Sequence, residues 1–328
     1  MKTISSIGLK LVAAAIMMAS CTKENVMLNS SPVANHQVSI SFFEQSTEDI
    51  RDSSPDDNSS VVKAGTVSRD TNSRVASRAD TERSLQACKR FSELIVTLIP
   101  KDEGQTENYV ISQDSLEDNF GHVNLDVPAG TYHMVAVAAA SIMPITTPIS
   151  IISDSEVRFP GELKDMVYAS QDITVRSDQS SQTVSAGMQR AVSSFELRAL
   201  EKTPTNAASA DIKITGNCGV VFDPSTGKCK EKAVVSRHIE FDGVKCQFYN
   251  LKFAVYTFLG EDDVSDLQVD AVMKDNKGQV MKNLHFDNVH LVKGRLTRYT
   301  GLIFTKSNSI DFEVTTPTME ESEYSKEF

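Results

Sequence analysis

Apolar and polar side chains alternate with a period of two along much of this chain, and no stretch sustains a helical period, so the pattern predicts strands. Val38, Ile40 and Phe42 alternate with Ser39 and Ser41, as in a strand with one buried face. Phe91 to Ile99 is a dense apolar strand, and Pro100 with Gly104 marks the turn out of it. Val123, Leu125 and Val127 alternate before Pro128-Ala129-Gly130 and the apolar run Met134 to Ala140, which predicts two adjacent antiparallel strands. Further strands are expected at Ile173 to Val175, Phe195 to Ala199, Ile212 and Ile214, and Val220 to Phe222. The same holds for Val244, Cys246 and Phe248, for Phe253 to Phe258, and for Leu267 to Met273, after which Asp275-Asn276-Lys277-Gly278 reads as a hairpin turn. Short strands at this spacing predict antiparallel β-sandwiches.

Composition divides the chain further. Residues 1–20 read as a targeting leader, with Lys2 in a small positive region and an uncharged apolar run from Leu11 to Met18. That run falls well short of the roughly 20 apolar residues of a membrane-spanning helix. Residues 21–84 hold a tether, the first strand and a flexible linker. From Ser46 to Arg83 the chain is dominated by Ser, Asp, Thr and Arg, with too little apolar surface to offset the entropy of ordering. Residues 85–178 and 179–316 are expected to be two sandwich domains, divided near Ser177 to Ser181, where Ser-Asp-Gln-Ser-Ser breaks the alternation. Residues 317–328 form an acidic tail with Glu320, Glu321, Glu323 and Glu327. Met134 to Ile152 carries no charge, but Pro144, Pro148 and several hydroxyl residues mark it as a buried strand and a loop.

The 328 residues carry 33 basic and 44 acidic side chains, a net charge of −11, and nucleic acid is therefore not an expected partner. Trp is absent, which argues against a surface that grips sugars by ring stacking. His36, His122, His133, His238, His285 and His290 are scattered without metal-ligand spacing. On a regular strand the odd separation of His285 and His290 would put them on opposite faces. No nucleophile elbow or phosphate loop is present, so no catalytic residue, metal or cofactor is expected. Cys88, Cys218, Cys229 and Cys246 allow three complete pairings and stay unassigned. If Pro224-Ser225-Thr226-Gly227 is a hairpin turn, Cys229 faces Phe222 and Cys218 lies off register for a direct bridge.

Met18, Ala19 and Ser20 lead into Cys21, a sequence that resembles the bacterial lipobox, with Met18 where that motif usually has Leu. The resemblance implies that Cys21 is acylated and tethers the protein to the outer membrane. Lys23 and Glu24 resemble the surface-export signals of some Gram-negative lipoproteins.

Three phrases together resemble the fimbrillin-type lipoproteins, the shaft, anchor and tip subunits of fimbriae in Gram-negative anaerobes. They are Phe120-Gly121-His122 leading to VPAGTYHMVAVA (127–138), AGMQRAVSSFELRA (186–199) with its Met188-Gln189-Arg190, and VHLVKGRLTRYTGLIFT (289–305). The resemblance implies two tandem transthyretin-like antiparallel β-sandwich domains, an all-β fold, and a role in fimbria assembly and cell adhesion at the cell surface. Partners would be other fimbrial subunits and host or bacterial surface ligands. In shaft subunits of this family a protease cuts after an Arg near the N-terminus, for which Arg69, Arg74, Arg78 and Arg83 are candidates here. Two segments have the pattern of a strand given to a neighbour: Val38, Ile40 and Phe42, and Ile310, Phe312 and Val314. Each reads first as a strand of its own sheet, since hidden pairing is how proteins usually deal with edges. Two other classes fit the leader and the β architecture. One is a carbohydrate-binding surface lipoprotein of a nutrient-capture system; the other is a secreted hydrolase with a carboxylate pair.

Overall fold

The first alternating stretch forms strand β1 (Asn35–Gln45), in which Val38, Ile40 and Phe42 are buried. In the computed structural model the described residues are 34–45, 82–85, 90–140, 145, 147–247, 249–305 and 312–315. After β1 come β2 (Glu82–Ser84), β3 (Glu93–Pro100), β4 (Tyr109–Asp114), β5 (His122–Pro128), β6 (Gly130–Ala139), β7 (Ser150–Ser153), β8 (Glu156–Arg158), β9 (Met166–Val175) and β10 (Ser181–Arg190). The later elements are β11 (Ser193–Ala199), β12 (Ala207–Thr215), β13 (Cys218–Gly219), β14 (Phe222–Asp223), β15 (Lys228–Cys229) and β16 (Val235–Glu240). They are followed by β17 (Lys252–Leu259), β18 (Asp263–Asp275), β19 (Val280–Val292), β20 (Leu296–Gly301) and β21 (Glu313–Thr315). The all-β reading of the sequence holds.

The first sheet runs β2-β1-β10-β9-β6-β3-β4, with β5 also paired to β1. It folds over a core in which Val38, Ile40 and Phe42 meet Val123 and Val127 of β5 and Leu94, Val96, Met134 and Ala136 of β3 and β6. The corner is narrow: β10 joins β9 only through Gln189↔Tyr168 and Arg190↔Val167, while its earlier residues run parallel to β1. The turn between β9 and β10 spans the expected division near Ser177 to Ser181, and β10 lies in the first sheet with the earlier strands. A second sheet, β13-β17-β11-β20-β21, packs on a third, β16-β12-β18-β19, over a core that includes Phe195, Leu197, Ile212, Phe253, Val269 and Leu291. A third buried cluster joins Ile95, Val135 and Val137 of the first sheet to Tyr256, Phe258 and Leu296 of the second.

Several local expectations change. β5 and β6 do not pair as a hairpin: β5 pairs with β1, and β6 lies between β3 and β9. Pro128 has no N–H to give to a hairpin ladder, and the two strands instead face each other across the first core. The fully buried Tyr132 fixes this corner by donating its hydroxyl to the Pro128 carbonyl at 2.9 Å, and burial pushes its pKa up to about 12. No strand forms at Val244 to Cys246, because Asp242 turns the chain; its Oδ1 accepts the Val244 N–H at 2.9 Å and its carbonyl accepts the Cys246 N–H at 2.8 Å. Asp275 to Gly278 does form the hairpin between β18 and β19, with Gly278 at φ +76°. Phe222 pairs with Cys229 across β14 and β15, as the turn at 224–227 predicts. Cys218, Cys229 and Cys246 are free thiols, and burial raises the Cys218 pKa to about 11. Cys88 lies outside the described residues.

His285 and His290 both lie on the exposed face of β19, against the expectation of opposite faces. Asn288 takes φ +54° within irregular pairing to β18, and the extra residue resets the alternation. Each histidine has its own carboxylate: His285 Nδ1 is 2.6 Å from Asp270 and Nε2 3.1 Å from Asp287, and His290 Nε2 is 2.5 Å from Asp263. On β16, His238 Nδ1 lies 2.5 Å from Asp211. No cluster of three or more His, Cys, Asp or Glu suited to a metal occurs among the described residues.

Two outcomes follow. Truncating Phe42 to Ala leaves a cavity in the first core and should lower unfolding free energy by about 3–5 kcal/mol, read from the midpoint of urea denaturation. Hydrogen bonds donated by His238 to Asp211, and by His285 to Asp270 and then Asp287, raise both histidine pKa values above 6.5. Their contribution is therefore complete below about pH 6.5 and lost as pH rises through the folded values. The stability gap between the native chain and a His238→Gln, His285→Gln variant should close on going from pH 6 to alkaline pH; a gap that widens contradicts this.

Candidate functional site

The donor pattern near the N-terminus becomes an interior strand. β1 runs parallel to β10 from Gln37↔Ser181 to Glu44↔Met188, and antiparallel to β5 from Asn35↔Pro128 to Ser41↔His122. Both of its edges are therefore hydrogen-bonded, and Val38, Ile40 and Phe42 point into the first core at 0–2% exposure. Beyond Gln45 the chain passes through residues outside the described set and returns as β2, which pairs Glu44↔Arg83 at the end of β1. Of the four candidate processing residues only Arg83 is placed, on β2; Arg69, Arg74 and Arg78 lie outside the described residues, as does Cys21.

The buried side of β1 ends in a charge. Glu44 continues the even-numbered series Val38, Ile40, Phe42 and is 7% exposed. Its carboxylate accepts a hydrogen bond from Arg190 Nη2 on β10 at 3.1 Å and another from Arg90. The same Arg190 nitrogen lies 3.3 Å from Asp165 Oδ2, immediately before β9. Arg190, Glu44 and Asp165 side chains are all more than nine-tenths buried, so the two acids and two guanidinium groups neutralise one another inside the fold. Arg190 is the arginine of the Met188-Gln189-Arg190 phrase, and it sits at the narrow corner where β10 passes from β1 to β9.

The C-terminal pattern is placed differently. β21 is a short, exposed edge strand on β20, paired Arg298↔Thr315, Tyr299↔Val314 and Thr300↔Glu313. Val314 is exposed, and Ile310 lies outside the described residues. Phe312 packs edge-on against Phe286 at 5.0 Å and beside Tyr299 at 6.3 Å. A Cβ on Gly301 would come within 2.6 Å of its ring, so glycine there makes room for Phe312. The two candidate strands are thus not brought together: one fills the first core, the other lies along the margin of the second sheet.

Sequence reasoning passed over Glu44 and Asp165 as site residues. An acid continuing an apolar series on a strand is a signal visible in the chain, since such a carboxylate must find a cation once buried.

A search of curated proteins finds no match. Solved structures similar to this chain include a fimbrial assembly protein from Parabacteroides distasonis, at 12% identity and a TM-score of 0.43 over 88% of this chain and 97% of that one. A candidate adhesin from Bacteroides thetaiotaomicron is similar at 9% identity and a TM-score of 0.46, over 88% of this chain and 97% of that one. A protein from the same species described as a candidate polysaccharide-binding protein is similar at 11% identity and a TM-score of 0.45, over 87% and 99% of the two chains. Residues 98–238 match the family model described as fimbrillin-A associated anchor proteins Mfa1 and Mfa2, which bears out the fimbrillin-type resemblance carried by the sequence phrases.

Proposed function

We propose that this protein is a lipid-anchored subunit of a surface fimbria, joined to its neighbours by strand addition and without enzymatic activity. The match to the anchor-protein family supports a fimbrial role in general terms. The observation that carries the finer reading is the placement of β1, an N-terminal strand inserted between β5 and β10. Removing it would open a groove with two hydrogen-bonding edges and three vacated apolar sites. Such a groove fits an extended apolar-polar segment of another subunit, the backbone ladder giving affinity and the side-chain sites giving register. The C-terminal segment Ile310, Phe312 and Val314 has the matching pattern, and its described residues include the short exposed edge strand β21. Cys21 would carry the acyl chains, and a cut after Arg69, Arg74, Arg78 or Arg83 would separate β1 from the body of a subunit that polymerises.

Mass spectrometry of fibres isolated from the cell surface tests this. The mature N-terminus should be acylated Cys21 or a residue that follows one of those arginines, and mild denaturant should release a ladder of multimers. A chain recovered only as a monomer, with no higher species, would count against assembly. Replacing Cys21 by Ala should move the protein from the membrane fraction to the soluble one; a variant that stays membrane-bound contradicts the tether.

A further inference from the structure

Arg190 is placed between two carboxylates, and only one of them belongs to the strand that would leave. Its Nη2 is 3.1 Å from Glu44 Oε1 on β1 and 3.3 Å from Asp165 Oδ2, which precedes β9. Glu44 is shared, because Arg90 also binds it. Asp165 is the underused member: it is 5% exposed, and neither of its carboxylate oxygens makes a hydrogen bond. A buried acid held by one ion pair without a hydrogen bond is poorly satisfied, and a guanidinium group that loses its partner inside a fold is costly. These two deficits cancel if Arg190 turns from one acid to the other.

We propose that Arg190 is an exchangeable clamp on β1. With β1 in place it holds Glu44. When β1 leaves, it closes fully onto Asp165, so that neither Arg190 nor Asp165 is left without an ionic partner. Glu44 then sets how firmly the strand is retained, and Asp165 sets how readily it is given up. This inference rests on the strand-addition reading and supplies its control element.

An ordinary stabilising ion cluster and an exchangeable clamp differ in the sign of one variant. In an ordinary cluster every lost partner weakens the grip on β1. In the clamp, Asp165→Asn removes the partner on which Arg190 relies more after β1 has gone than before, and also removes a like charge from beside Glu44, so β1 should be held more firmly.

The test uses the full mature chain with a protease site placed between residues 46 and 81 and cut after folding. Exchange of β1 is followed with an excess of a fluorescent peptide of residues 35–45. Glu44→Gln should speed exchange by about tenfold or more, because it weakens the contacts to both Arg190 and Arg90, and Asp165→Asn should slow it by up to about tenfold, because it removes a partner of Arg190 from the vacated state. Arg190→Gln removes a pair from both states and should speed exchange by less than Glu44→Gln does; it decides the matter if the Asp165 variant does not fold. Asp165→Asn that speeds exchange or leaves it unchanged overturns the clamp, as does Arg190→Gln that matches or exceeds Glu44→Gln. Absence of any exchange, in native and variant chains alike, overturns the strand-addition reading and the clamp with it.

Discussion

The fold depends on the burial of one N-terminal strand inside a sheet made otherwise of later chain. β1 contributes three fully buried apolar side chains to the first core and satisfies backbone groups on both β5 and β10. Each such side chain is worth roughly 1.5–3 kcal/mol on burial, so β1 alone accounts for a stabilisation comparable to the net stability of a whole domain. Among the described residues, β5 has no other sheet partner, and most of β10 has no partner but β1.

The charges at the end of β1 work against that apolar argument and are held only by mutual pairing. Taking an ion out of water costs several kcal/mol even after relaxation, so Glu44, Arg90, Arg190 and Asp165 are tolerable only as a set. Apolar residues of similar size would serve stability equally well. What the charged set adds is geometric: β1 brings its carboxylate to the position opposite Met188, where it meets Arg190. The second sheet has a similar buried pair, Arg298 Nε to Glu196 Oε1 at 2.5 Å, next to the edge on which β21 lies.

Local patterns in the sequence carry the strands themselves. Alternation marks β1, β11 and β18, and Asp275 to Gly278 marks its hairpin, because side-chain period and turn chemistry are properties of a few neighbouring residues. Partner choice is not local. Val123 to Val127 reads correctly as a strand, yet nothing near it reveals that β1 lies beside it and β6 across the core. Asn288 shifts His290 to the exposed face through an irregularity that no alternation rule anticipates, and Asp242 overrides the apolar spacing at Val244 and Cys246 with its own hydrogen bonds. The Met188-Gln189-Arg190 phrase is visible in the sequence as a motif. Its meaning depends on Glu44, 146 positions earlier, and on Asp165, which no spacing rule connects to it.

The orientation of β1 has a consequence for higher-order architecture. It lies parallel to one neighbour and antiparallel to the other, so its berth admits a chain in a single sense of travel. Subunits coupled through that berth would meet in a heterologous contact, with different surfaces on its two sides, and such a contact forms a filament where its rotation does not close. A filament of this kind has two chemically different ends. One would present an open berth and the other an unclaimed strand, so each end would be capped by a different surface.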